Sequence, residues 1–216
     1  CLNGWRTITG SGKPAKNNIV VANVSTTDAI NSSSSFGPVQ DGRVKPEISG
    51  FGTSVLSTYH PLNSYATISG TSMSTPAVSG TLALLIQRFR QLNSNAEPVS
   101  SLIKAVACNT ANDLGNPGPD YKFGFGRINA LEAVKTIEQN RYEVRNIANA
   151  GQYNKVINVP PGTVRLKVML TWNDPAAAAN ANPALVNNLD LSVIEGVNTL
   201  LVGRKYAVQV AGGCAK

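Results

Sequence analysis

The sequence is poor in charge, has no long apolar run and shows no basic–aromatic pattern, and each absence excludes a class of protein. Charged residues make up 14% of the 216 positions, against roughly 25% in an average soluble domain. No run approaches the roughly 18 apolar residues that a membrane-spanning helix needs, so we expect no membrane span. Basic and aromatic residues do not interleave as they do in many nucleic-acid-binding surfaces. The hydrophobic fraction of 42% still suffices for a packed core, which argues against disorder.

Cysteine is scarce, and its spacing predicts no metal or redox site. The three cysteines, Cys1, Cys108 and Cys214, form no Cys-x-x-Cys pair. Cys108 lies in an apolar helical pattern, and we expect it to pack as a small hydrophobic side chain. Cys1 and Cys214 could pair with each other or with cysteines of a longer protein, and the sequence leaves both alternatives open.

The net charge of +7 is spread along the chain. Residues 1–145 carry 13 basic and 9 acidic side chains, and residues 146–216 carry 6 and 3. A solvated basic surface accounts for this distribution, since no run of basic residues is present. We therefore expect no nucleic-acid partner.

The first two thirds of the chain alternate between strand and helix patterns. A β-branched run at 18–24 predicts a buried strand, and Gly50-Phe51-Gly52 predicts a turn before a short strand at 55–56. The helix that follows residues 70–76 has apolar residues on all sides as far as Gln87, which predicts complete burial. Such alternation favours an α/β fold with a layered parallel sheet.

Two further helices are predicted before residue 145. One begins at Pro98, since proline is favoured in the first helical turn, and the other spans residues 130–139.

Beyond residue 145 the hydrophobic period changes to two. Apolar residues at 164, 166, 168, 170 and 172 alternate with Arg165, Lys167, Met169 and Thr171, which predicts a strand with one solvated face. Residues 188–193 alternate in the same way, and 206–210 predicts a third strand. We expect the start of an antiparallel β-sandwich of jelly-roll type. The chain is therefore divided into domains 1–145 and 146–216.

The segment 70–76, Gly-Thr-Ser-Met-Ser-Thr-Pro, combines a glycine with a serine at the start of a helix. Gly70 permits a tight turn and leaves room for a substrate chain. Ser72 falls in the first helical turn, where free N–H groups and the helix dipole favour a developing anion. An oxyanion could form beside it, with the Ser72 N–H as a donor. Taken alone, however, this pattern favours an ordinary Ser/Thr helix cap.

This segment closely resembles the serine motif of subtilisin-like proteases, Gly-Thr-Ser-Met-Ala-x-Pro, and departs from it only at Ser74. Five other segments, distributed through the first 145 residues, resemble the same family: 15–21, 35–38, 42–47, 52–57 and 124–128.

The resemblance implies a Ser–His–Asp endopeptidase in which the residues follow the order Asp, His, Ser. Ser72 corresponds to the nucleophile, Thr71 to a residue whose hydroxyl assists the oxyanion, and Ser69 and Gly70 to backbone lining the substrate cleft. His60, the single histidine, corresponds to a variable surface loop and not to the base.

The family's Asp and His motifs and its oxyanion Asn are not found in this sequence. We expect the chain to be the C-terminal part of a longer protease, inactive alone because Ser72 without its base is an ordinary alcohol. The upstream segment would supply the missing groups, and its strands would cover an otherwise bare sheet edge beside residues 18–24.

Segments 170–175 and 186–191 resemble one branch of the family, secreted bacterial subtilases with a C-terminal β-sandwich. The resemblance implies a secreted or cell-surface protein acting on proteins or peptides, with no cofactor required for the chemistry. It also implies structural calcium held by Asp174, Asn188 and Asp190, whose oxygens suit this ion; solvated turn residues are the alternative.

A second hypothesis is a non-catalytic relic or a β-sandwich binding module that keeps the serine motif by descent. Asp and His motifs in the parent gene would argue against it.

Overall fold

The computed structural model describes residues 6–10, 12–195, 198–204 and 208–210, with side-chain surroundings as far as residue 194. Cys1, Tyr206 and Cys214 lie outside these ranges. Four strands come first: β1 (Val21–Val24), β2 (Ile48–Phe51), β3 (Val55–Tyr59) and β4 (Ser64–Ile68). Three helices follow: α1 (Thr71–Leu92), α2 (Ser100–Asn109) and α3 (Ala130–Glu138). The last strands are β5 (Leu166–Val168), β6 (Asp190–Glu195), β7 (Asn198–Arg204) and β8 (Val208–Val210).

A small parallel sheet lies at the centre of the α/β part of the structure. β1 and β2 pair in parallel from Val21 opposite Ile48 to Val24 opposite Phe51. Residues 125–128 extend this pair, since Ser49 N donates to Gly126 O at 2.8 Å and Ile128 N to Ser49 O at 3.0 Å. The mixed α/β class is therefore confirmed.

The predicted turn at Gly50-Phe51-Gly52 is wrong at its first two residues, which belong to β2. Gly50 is there because β2 lies directly against α1. A Cβ atom on Gly50 would stand 2.8 Å from Val78 Cγ2 and 3.1 Å from Ser74 O, so close approach of two backbones, rather than a turn, requires the glycine.

Helix α1 is buried on one face only, so the prediction of complete burial is wrong. Its buried residues, Ser74, Val78, Leu85 and Phe89, lie at helical spacing and face the sheet and the other two helices. Leu84, on another side, is 60% exposed. Within the described ranges, no element covers that side.

The other two helices complete the core. α2 begins at Ser100, two residues later than predicted from Pro98, because Val99 stays extended as its N-cap residue. α3 matches its prediction to within one residue, and the Asn129 side chain caps it by accepting from Glu132 N at 3.1 Å.

Cys108 packs in a core cluster with Val21, Ile48 and Val78, as predicted. Burial raises the pKa of its thiol to about 12.

The segment around β5 runs along α2 and joins the C-terminal residues to the core. Lys167 Nζ donates to Ala111 O at 3.2 Å, and Thr171 Oγ1 donates to Ser101 O at 2.7 Å. Met169 packs between them against the cluster that contains Cys108. The prediction of a solvated face is therefore wrong at Lys167 and Thr171, which contact α2 and the residues directly after it.

Antiparallel pairing in the C-terminal residues agrees with the predicted change of architecture. β5 pairs with β8 and β6 pairs with β7, both antiparallel. A complete sandwich, and the boundary at residue 145, remain predictions. No helix in the described part of the chain is long and apolar enough to cross a membrane.

The outer edge of β1 is partly covered by the chain's own loop. Asn31 N donates to Asn23 O at 2.9 Å, and Asn23 N donates to Ser34 Oγ at 3.2 Å. The expected bare edge is therefore wrong at Asn23, because residues 31–34 fold back against the strand.

A buried ionic cluster joins the starts of the two parallel strands. Lys45, only 1% exposed, donates to Glu47 Oε1 and, at 2.8 Å, to Asn18 Oδ1. Lys104 from α2 reaches the same Glu47 oxygen at 2.8 Å, while Glu47 Oε2 accepts from Val20 N at 2.8 Å. Burial lowers the pKa of Lys45 from 10.5 to about 8, in spite of the attraction of Glu47.

This pKa shift predicts a rise in stability at alkaline pH. Between pH 8 and 10.5 the unfolded chain retains the Lys45 proton that the folded chain has lost, so stability increases with pH in this window. The increase from this group is about 3 kcal/mol. Urea unfolding across the window is expected to show the increase in the wild type and not in Lys45→Met. The exposed Lys155→Met variant is the control, and equal pH profiles of wild type and Lys45→Met would contradict the prediction.

Candidate active site

Ser72 lies at the second position of α1, with its side chain exposed. The residue before the helix is Gly70, and no side chain caps this end. The alternative of a Ser/Thr helix cap is therefore wrong in the described structure. An exposed serine that does not cap its helix is free for other chemistry.

The first two amides of α1 differ from the next two in the described structure. Met73 N and Ser74 N donate to Gly70 O, at 3.0 and 3.2 Å. Within the described residues, the amides of Thr71 and Ser72 have no such acceptor. Together with the helix dipole, they make the space beside Ser72 favourable for negative charge.

Gly70 and Ser69 position this turn in different ways. Gly70 has φ 164° and ψ 164°, an extended conformation, so the tight turn predicted for it is not observed. A Cβ atom there would make only ordinary contacts, 3.6 Å from Met73 Sδ, and the open space beside Gly70 suits a substrate chain. Ser69 Oγ accepts from Ser54 N at 2.8 Å and ties the end of β4 to the start of β3.

A polar junction, formed by Asn23, Gly52, Thr53 and Ser74, fastens the first turn of α1 to the sheet. Ser74 is fully buried, and its Oγ donates to Asn23 Oδ1 at 3.3 Å; Thr53 Oγ1 donates to the same oxygen at 3.1 Å. A Cβ atom on Gly52 would lie 2.0 Å from Ser74 Oγ, so only glycine fits beside it.

This polar junction explains Ser74, the one departure from the serine motif. Sequence reasoning missed Asn23, which lies in an apolar run and shows no sign of a distant partner. A polar residue in a strand predicted to be fully buried was the available signal, because a buried polar group needs a hydrogen-bond partner.

His60 lies at the far end of the β3–β4 hairpin from Ser72. The strands pair from Val55 opposite Ile68, near the helix, to Tyr59 opposite Ser64, near the tip. This places His60 in the turn at the tip, about 13 Å along the hairpin from Ile68 at the usual rise per residue. His60 is exposed there and outside hydrogen-bond reach of Ser72, as predicted.

The three residues expected to bind calcium do not form a joint donor set. Asp174 is 4% exposed, and its Oδ2 accepts from Lys16 Nζ at 2.6 Å. Its carboxylate also accepts from the amides of Val186 and Asn187, at 2.9 and 2.7 Å. Asn188 and Asp190 are exposed. A calcium ion at Asp174 would have to displace the Lys16 ammonium, so these residues do not fit the ion.

Asp174 instead connects the C-terminal segment to the loop before β1. Asn17 and Asp174 exchange two hydrogen bonds of 3.0 Å, and Lys16 Nζ also donates to Ala184 O at 2.7 Å. Burial alone would raise the pKa of Asp174, but the bonds from Lys16 and the two amides outweigh it and lower the pKa below 3.8.

Exchanging Ser74 for the alanine of the motif is expected to destabilise this protein by about 1 kcal/mol, since a buried hydrogen bond is lost. Asn23→Ala should cost about 2 kcal/mol, because the Ser74 and Thr53 hydroxyls both lose their acceptor. The double variant should lose less than the sum, as expected for coupled residues. Urea unfolding of the wild type, the two single variants and the double variant measures these losses of stability, with the exposed Ser79→Ala as control. Strictly additive losses in the double variant would disprove the coupling.

Asp174→Asn is expected to lower stability by about 2 kcal/mol at pH 7, because a buried hydrogen bond to a charged group is lost. The lowered pKa means that this contribution is complete above pH 3.8 and disappears as the pH falls through the folded-state value. Chemical unfolding at pH 7 and pH 3 should show the difference from wild type shrinking on acidification. The exposed Asp190→Asn is the matched control, and a difference independent of pH would refute this account.

Known proteins are similar to this chain in sequence and in fold. An extracellular serine protease of Serratia marcescens is 44% identical over 70 residues, 32% of this chain and 6% of that protein. The serine protease/ABC transporter B family protein tagA of Dictyostelium discoideum is 26% identical over 200 residues, 76% of this chain and 11% of that protein. The chain thus spans a small part of the length of these relatives.

The structure of the patellamide maturation protease PatA superimposes with a TM-score of 0.52 over 63% of this chain and 48% of that chain, at 21% identity. This likeness concerns the fold. The profile of the family described as Peptidase_S8, Subtilase family, matches residues 6–126, more than half of the sequence and the whole region around Ser72. The chain belongs to the subtilase family.

Proposed function

We propose that this chain carries the nucleophile of a subtilisin-type serine endopeptidase, and that the nucleophile is Ser72. The observation that supports it best is the exposed, non-capping Ser72 beside the free amides of Thr71 and Ser72. Ser72 Oγ attacks the peptide carbonyl carbon while a base takes its hydroxyl proton, and the oxyanion forms beside these amides. The base passes this proton to the leaving amine as the C–N bond breaks and the acyl-enzyme forms; water then hydrolyses the ester and regenerates the serine.

The base is supplied from outside these 216 residues. His60 is the single histidine of the sequence, and it lies at the far end of the hairpin. We therefore assign the base, the Asp that orients it and a further oxyanion donor to an upstream segment of the same protease. Thr71 assists the oxyanion, and Ser69 and Gly70 border the substrate cleft. No cofactor takes part in this chemistry.

The substrates are proteins or peptides, and the protease acts outside the cell. The Serratia marcescens relative is named an extracellular protease, which supports secretion. We also assign residues 146–216 to the start of a β-sandwich domain, supported by the antiparallel pairs β5–β8 and β6–β7.

Labelling with a fluorophosphonate probe, followed by peptide mapping, tests the nucleophile. Ser72 should be labelled when the chain is combined with its upstream segment, and at the low rate of an ordinary alcohol when it is alone. Ser72→Ala should abolish the label, whereas Ser79→Ala, an exposed serine of the same helix, should not change it.

Two results would contradict the proposal. Equal labelling of Ser72 and Ser79 would show that Ser72 is not activated. Absence of label in the folded complex would favour a non-catalytic relic or binding module.

A further inference from the structure

The β3–β4 hairpin presents an apolar face to solvent next to the candidate nucleophile. Its register places Leu56 opposite Thr67 and Thr58 opposite Tyr65, so these four side chains share one face because side chains alternate along a strand. All four are exposed; Leu56 is 67% and Tyr65 is 70% exposed. We call this set the hairpin face.

The tip of the hairpin adds further apolar surface. Leu62 is 93% and Tyr59 56% exposed, and together with Tyr65 they border a concavity of about 530 Å³. Leu56, Tyr59, Leu62 and Tyr65 are thus all exposed within ten residues, and clustered exposed apolar side chains mark a contact surface.

The absence of charge around this surface indicates the chemistry of its occupant. No Asp, Glu, Lys or Arg occurs between Glu47 and Arg88, a stretch that includes the whole hairpin. A phosphate backbone or an anionic lipid surface would be met by basic side chains. An uncharged, apolar segment of a polypeptide matches this surface better.

The hairpin is continuous with the site of Ser72. β4 ends at Ile68, and only Ser69, Gly70 and Thr71 separate it from Ser72. At about 3.3 Å per residue, Thr67 lies up to about 17 Å and Tyr65 up to about 23 Å from Ser72 along the chain. An extended substrate covers these distances with about five to seven residues.

We infer that the hairpin face binds apolar side chains of the substrate, about four to seven residues from the scissile bond, and so extends the specificity of the site. This inference rests on the proposed function of Ser72. The contact is made before and during the reaction alike, so it lowers KM more than it raises kcat.

Quenched-fluorescent peptides measured with the chain and its upstream segment test this inference. One set carries Leu or Phe at positions four to seven from the scissile bond, on either side; a second set carries Ser there; a third has only three residues on each side. Apolar residues on one side should raise kcat/KM about tenfold over serine, as burial of one or two apolar side chains allows.

The variant Leu56→Ser/Tyr65→Ser should lose this preference while it cleaves the short peptides at the wild-type rate. Both positions are exposed, so the variant should fold, and Tyr65→Phe should keep the preference. Leu131→Ser is the matched control, because Leu131 is 63% exposed on α3, outside the hairpin.

The remaining outcomes overturn the inference in distinguishable ways. If the preference for apolar residues persists in the double variant, or is absent from the wild type, the hairpin face does not bind substrate. Cleavage of the short peptides would in that case still support the proposed function. Loss of short-peptide cleavage in the double variant alone would make the hairpin part of the catalytic assembly. Sedimentation that shows a dimer lost in this variant, with the peptide preference unchanged, would assign the face to a second copy. Failure to cleave any peptide would overturn the proposed function and this inference together.

Discussion

The contact between the first turn of α1 and the ends of β1 and β2 is the constraint on which the site depends. Gly70 N donates to Gly52 O at 2.9 Å, and Gly52 N donates to Val24 O at 3.2 Å, so each backbone segment fixes the next. Ser74, buried against Gly52, leaves no freedom for the helix to rotate. Ser72, two residues earlier, is therefore held outward on a rigid element, as its proposed role as nucleophile requires.

Two ion-pair clusters hold this arrangement together at the loop of residues 16–18, which leads into β1. Lys45 and Glu47 join the start of β2 to the residues before β1, and Lys104 brings α2 to the same carboxylate. Asp174 holds the C-terminal segment against that same loop through Lys16. Burial makes each charge costly without its partner, so the clusters specify one packing of the loop, the sheet and the segment that follows α3.

The parts of the candidate site that depend on consecutive residues were predictable from the sequence. The helix start and its serine follow from the segment 70–76, and the exclusion of His60 as the base was implied by the resemblance to the family. The role of Asn23 did not follow, because its partner Ser74 lies 51 residues away. The partner of Asp174 is Lys16, 158 residues away, so the sequence around Asp174 gives no sign that a lysine ammonium already occupies its carboxylate.

The sequence by itself determined the local elements, the core position of Cys108 and the family motif, because periodicity and motif spacing act over a few residues. Only the tertiary structure decided which side of each element is covered. α1 is apolar on several sides, yet only one face packs. The polar side chains of Lys167 and Thr171 turn toward α2 and the residues directly after it, because they find the backbone carbonyls of Ala111 and Ser101 there. Whether a side chain is buried depends on the element that packs against it, and the tertiary fold, not the neighbouring residues in the sequence, determines which element that is.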